Sequence, residues 1–143
     1  MVDEFFFSIT PTLGPSMLPT IGAQSDYIIT SILHRRGKNV EVGDLVSFKH
    51  PIEPGERVVK RVLGMPGDFV KRETPGEASS MIQIPEGHCW VEGDNRPHST
   101  DSRLYGPIPL ALIRGKVIAR YWPNPTWFDK GLHPVDTRLE KSE

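Results

Sequence analysis

The chain has 143 residues, 37% hydrophobic and 24% charged, which fits one soluble globular domain able to bury a core without disulfides or metal. Its 17 basic and 18 acidic side chains leave a net charge of −1, so no field of one sign recommends nucleic acid or an anionic membrane as partner. A lone cysteine, Cys89, excludes an internal disulfide, and 14 prolines with 13 glycines favour turns over long helices.

Residues 1–11 read as a loose lead-in. Phe5-Phe6-Phe7 lies between Asp3-Glu4 and Ser8, so no run approaches the roughly 20 apolar residues that cross a bilayer, and no basic leader precedes it. Pro15 and Pro19 bracket Ser16 and stiffen its backbone through their locked φ. The β-branched run Asp26–Leu33 predicts a strand, His34–Asn39 a turn, and Leu45–Lys49 another strand. Arg57–Leu63 is the most strand-like run, Gly64–Asp68 closes it, and Phe69–Arg72 begins the next. Small and charged residues from Glu73 to Ser80 predict an exposed connecting loop. His88–Glu92 is a short strand that delivers Gly93-Asp94-Asn95; Pro109–Leu112 hints at a helical turn, and Ile113–Trp122 is a long strand ended by Pro123 and Pro125. The expected organisation is one β-rich domain over residues 12–123, with a charged tail over residues 124–143.

Two segments carry chemistry. A serine hydroxyl is a poor nucleophile until a base takes its proton, and a lysine is such a base only when neutral. That requires its pKa to fall by roughly three units from about 10.4, on the order of 4 kcal/mol, which burial among apolar groups supplies. On a strand Val58, Lys60 and Val62 share one face while Arg57, Val59, Arg61 and Leu63 share the other, so valines flank Lys60 along its own face. Adjacent Lys60 and Arg61 are thereby expected in opposite environments, the first without solvation. The competing reading is a surface lysine whose stem lies on the valines, and a turn serine at Ser16.

Ser16-Met17-x-Pro19-Thr20, then Lys60-Arg61-Val62-x-Gly64-x-Pro66-Gly67-Asp68, then Gly93-Asp94-Asn95 with Ser99-x-Asp101-Ser102-Arg103-x-Tyr105-Gly106 resemble, in order, the motif blocks of type I signal peptidases. Within that family the details are most similar to the mitochondrial inner membrane branch. The resemblance implies a mostly β, single domain of coiled antiparallel sheets with little helix, in which Ser16 attacks the scissile carbonyl and Lys60 is the general base. It implies that Ser99 orients that lysine and that Asp94, Arg61, Asp101 and Arg103 form a supporting ion-pair cluster. Bacterial relatives often carry a serine two positions before the nucleophile; Gly14 stands there and offers no side chain to an oxyanion.

The same resemblance implies precursor proteins as substrates, a second peptidase subunit as partner, no cofactor and no metal. It places the enzyme at the mitochondrial inner membrane facing the intermembrane space, attached through upstream sequence or a partner. An extended peptide beside the strands of Ser16 and Lys60 would meet Met17, Ile21, Val58 and Val59, which core packing explains equally well.

Other chemistries fit less well. His98 and Asp101 with Ser99 or Ser102 are too close in sequence to build a triad, and His88, Cys89 and His98 lack metal-binding spacing and a fourth ligand. Cys89 beside Trp90 and Val91 reads as a buried, inert thiol. Self-cleaving repressors of the LexA kind share the serine–lysine chemistry but append a DNA-binding helix-turn-helix, absent here. A bacterial-type signal peptidase and a catalytically inactive scaffold or partner subunit remain as alternatives.

Overall fold

The computed structural model describes residues 6–14, 16–22, 24–73, 76 and 78–128. Ten strands follow in chain order: β1 (Phe7–Leu13), β2 (Gln24–Ser31), β3 (Leu45–Lys49), β4 (Arg57–Gly64), β5 (Phe69–Arg72), β6 (Ser80–Gln83), β7 (His88–Glu92), β8 (Ile108–Pro109), β9 (Ile113–Trp122) and β10 (Thr126–Trp127). Among the described residues, α-helix is confined to α1 (Ser102–Tyr105), with short 3-10 turns at Ile32–Gly37, Arg96–His98 and Leu110–Leu112. The mostly β composition of turns and β-branched runs has produced a mostly β fold.

Eight strands form one antiparallel sheet in the order β1-β2-β9-β3-β4-β7-β8, with β10 also on β9, while β5 and β6 make a separate hairpin. β9 is long enough to serve two neighbours on one edge, pairing β3 through Ile113–Val117 and β10 through Ala119 and Arg120. Alternation along β3 feeds two cores: Val46 and Phe48 enter a cluster with Val62, Cys89, Val91 and Ile113, and Leu45 enters one with Met17, Ile21, Ile28 and Val117. Those two packed faces hold β4 between its neighbours β3 and β7.

The edges depart from the sequence reading. The lead-in is corrected from Phe7 onward: β1 pairs with β2 from Phe7↔Ser31, and Pro11 is accommodated because an edge strand leaves one side of its backbone without ladder partners. The expected loop over Glu73–Ser80 gives way at its end to β6, paired with β5 from Arg72↔Ser80. The tail begins inside the fold, since β10 returns onto β9 and the Phe128 N–H donates to the Ile118 carbonyl at 2.8 Å. Residues 129–143, the rest of that tail, lie outside the described residues.

Candidate active site

Lys60 projects from the middle of β4 directly opposite Val46, with Val62 two residues on, and its side chain is only 2% exposed. Burial among these groups lowers its pKa from 10.5 to about 8; the charge of Asp101 opposes the fall and that of Arg103 adds to it. Among the described residues no carboxylate lies within ion-pair distance of its amine. Arg61, expected to face a solvated environment, is buried as well. The difference between the neighbours is pairing: Arg61 donates to both oxygens of Asp94 at 2.9 and 2.8 Å and to the Gly43 carbonyl at 2.8 Å.

Ser16 begins a turn that runs to Thr20 between β1 and β2, and Met17 and Ile21 anchor it in the core. Its carbonyl accepts the Asn95 N–H at 2.8 Å, while the Thr20 hydroxyl donates to Asp94 at 2.5 Å. The segment after β7 therefore grips both this turn and, through Arg61, the strand of Lys60. Gly93 is required at that crossing, because a Cβ there would lie 2.6 Å from the Ser16 carbonyl oxygen and collide with the Ser99 hydroxyl. Ser16 and Ser99 thus meet at one glycine. Among the described residues no hydrogen bond joins the Ser16 hydroxyl to the Lys60 amine.

Asp101 is fully buried. Burial alone would raise its pKa, but hydrogen bonds from the Arg103 side chain, the Gly93 N–H, the Ser99 hydroxyl and the Arg103 N–H hold it below the usual carboxylate range. The Ser99 hydroxyl spends its proton on Asp101 at 2.7 Å and so keeps lone pairs to accept a donor. The supporting charges pair as Arg61 with Asp94 and Arg103 with Asp101, and Arg103 is further tied to the Arg96 carbonyl at 2.8 Å. Asp101 also caps α1, and Ser102 accepts the Val91 N–H at 3.0 Å, which docks that turn of helix on β7.

A cleft of about 630 Å³ runs between β1 and the start of β4. Ser16, Met17, Ile21, Val58 and Val59 all line it, with Ser47 and Ile28. Lys60 is not on its wall but follows immediately along β4. Gly14, also on the cleft, adopts the left-handed backbone at φ +97, where an L side chain is strained. The sequence reading gives Thr20 no role beyond its place in the first motif block and does not single out Glu92. Glu92 is buried and accepts the Trp90 indole N–H at 2.9 Å, and neither partnership has a short sequence signature. Cys89 is fully buried, and burial pushes its thiol up to about 12.

The site holds a serine on an open cleft and, further along β4, a desolvated lysine; comparison with known proteins gives the class and the family. The model of "Signal peptidase, peptidase S26" matches residues 1–77 and 71–122, and the chain belongs to that family. Mitochondrial inner membrane protease subunit 1 of Schizosaccharomyces pombe is 42% identical over 136 residues, covering 94% of this chain and 86% of that protein. The human subunit 1 is 41% identical over 84% of this chain and 72% of its own length. A signal peptidase I of Enterococcus faecalis matches with a TM-score of 0.48 at 25% identity, covering 55% of this chain and 97% of that one. The chain is a hydrolase of the signal peptidase type.

Proposed function

We propose that the chain is a serine endopeptidase with a Ser16–Lys60 dyad that removes sorting peptides from precursors at the mitochondrial inner membrane. The observation that carries this is Lys60, a buried lysine that among the described residues has no ion-pair partner while its neighbour Arg61 is paired with Asp94. An ammonium there is destabilised, so the neutral amine is accessible near pH 8. Family membership and the names of the relatives support the substrate class, and relatives named as subunit 1 and subunit 2 of a mitochondrial inner membrane protease support a second subunit.

In this mechanism an extended peptide lies along the cleft between β1 and β4, held by main-chain hydrogen bonds, with its side chains against Met17, Ile21, Val58 and Val59. Ser16 Oγ attacks the scissile carbonyl carbon as its proton passes to the neutral Lys60 Nζ. The carbonyl π electrons move to oxygen, and the Ser16 N–H donates to that oxyanion. The Lys60 ammonium then protonates the departing amine, the C–N bond breaks and an acyl-Ser16 ester remains. Lys60, neutral again, takes a proton from water, whose oxygen attacks the ester; collapse returns the proton to Ser16. Ser99, its own proton committed to Asp101, accepts an N–H from Lys60 and leaves the amine lone pair aimed at Ser16. Asp94, Arg61, Asp101 and Arg103 hold positions and move no proton.

Ser16→Ala and Lys60→Met, made separately and assayed for cleavage of a precursor or a matching peptide, test the dyad. Each is expected to lose cleavage by about 10³-fold or more while staying folded. A folded variant of either kind that still cleaves refutes the assignment.

A further inference from the structure

Away from the cleft, a second concavity of about 840 Å³ gathers five cations: Arg35, Arg36, Lys38, Lys49 and Arg114. All five are exposed, and among the described residues none has its side chain in a hydrogen bond or ion pair. Among the described residues no acidic side chain lines the site. Its remaining walls are almost wholly apolar, with Phe6, Ile32, Leu33, Leu112 and buried Ile113. Leu33 is 53% exposed although it sits among charges. A chain of net charge −1 gives no hint of such clustering.

The backbone that presents these cations is itself unusual. Arg36 has φ 58 and ψ 25, the left-handed region that disfavours a branched or long L side chain by about 1 kcal/mol. A glycine would fit there at no steric cost, yet an arginine stands on the rim. Lys49 faces Arg57 directly across β3 and β4, and Arg57 lines the cleft of Ser16. The basic rim is therefore continuous with one mouth of the cleft.

We propose that this concavity seats the phosphate head group of an anionic phospholipid and holds the domain against the bilayer with the cleft mouth beside it. A phospholipid presents a phosphate above glycerol and aliphatic carbon. Long cationic side chains around a recessed apolar floor match that order, the stems covering carbon while the heads stay at the charged layer. Nucleic acid offers no aliphatic partner for Phe6, Leu33 and Leu112. The inference does not depend on the Ser16–Lys60 assignment, because no residue of that pair takes part.

Flotation of the chain with phosphatidylcholine vesicles, with and without phosphatidylglycerol, tests it. The parent is expected to float with the anionic vesicles and not with the neutral ones, and to be released at high salt. Removing cations as Arg35→Gln, Lys38→Gln, Lys49→Gln and Arg114→Gln should weaken partitioning about fivefold for each. Arg36→Gly removes a cation while suiting the left-handed backbone, so it lowers binding without a folding defect. Lys71→Gln, an exposed cation elsewhere, leaves binding unchanged. Failure of the parent to float, equal flotation with neutral vesicles, or an Arg36→Gly chain that floats like the parent overturns the proposal. So does a variant with Arg35→Gln, Lys38→Gln, Lys49→Gln and Arg114→Gln together that floats like the parent. Peptide cleavage by the same parent sample is read separately, so loss of catalysis and loss of lipid binding are distinguishable.

Discussion

Replacing Lys60 by methionine keeps an unbranched chain of similar reach and removes a buried amine, so it should stabilise the fold while abolishing cleavage. The fall of its pKa from 10.5 to about 8 corresponds to roughly 3 kcal/mol. Because the folded value lies below the unfolded one, the unfolded chain binds more protons between about pH 8 and 10.5, and parental stability rises with pH across that window. The penalty is complete below pH 8 and gone above 10.5. Cys89 acts the other way: its thiol is raised from 9.0 to about 12, so stability falls as pH climbs through 9. That loss is common to both chains and cancels in their difference. Urea unfolding followed by tryptophan fluorescence is therefore expected to show the methionine variant more stable by up to about 3 kcal/mol near pH 6, the gain shrinking towards zero above about pH 10. A gain independent of pH, or a variant weaker than the parent near neutrality, would refute the claim that Lys60 is held as a strained cation.

Other tests probe the surroundings. The Asp101 charge raises the Lys60 pKa, so Asp101→Asn should move the acid limb of the kcat/KM profile to lower pH; stability should also drop by about 3 kcal/mol because buried Arg103 loses its counter-charge. An unmoved limb would mean that Lys60 is not the titrating group. Gly93→Ala places a methyl against the Ser16 carbonyl and Ser99, and should cost about 1–3 kcal/mol of stability and lower kcat more than KM, measured by unfolding and steady-state kinetics. Cys89 should resist alkylation in the folded chain and react only after unfolding; rapid modification with loss of activity would show a thiol far more accessible than its burial indicates.

What the sequence revealed and what it hid divide along physical lines. β3, β7 and β9 have the bounds read from the chain, because runs such as Ile113–Trp122 are rich in β-branched and aromatic residues and are flanked by turn formers. β1 was hidden by Pro11, which an edge strand tolerates, and β6 by a polar stretch that pairs with β5. α1 is four residues long, too short for any helical period, and exists because Asp101 caps it and Ser102 ties it to β7. At the site, residue types were legible but partnerships were not. Alternation correctly separated Lys60 from Arg61, yet it cannot tell that both faces of β4 are covered, nor that Arg61 is neutralised across the chain by Asp94. The contacts of Thr20 with Asp94, and of Ser16 with Asn95, span more than seventy residues of sequence and leave no local trace.

Asn95 grips the turn of Ser16, and Asp94 grips the strand of Lys60 through Arg61. Neighbouring links of a single segment thus act as a yoke for the two arms that carry the proposed dyad. Thermal displacement of that yoke carries both arms in the same direction and preserves their spacing, whereas a cut between the two grips would let them drift apart. If Ser16 and Lys60 react as proposed, their alignment rests less on stiffness of the whole sheet than on the integrity of one peptide unit.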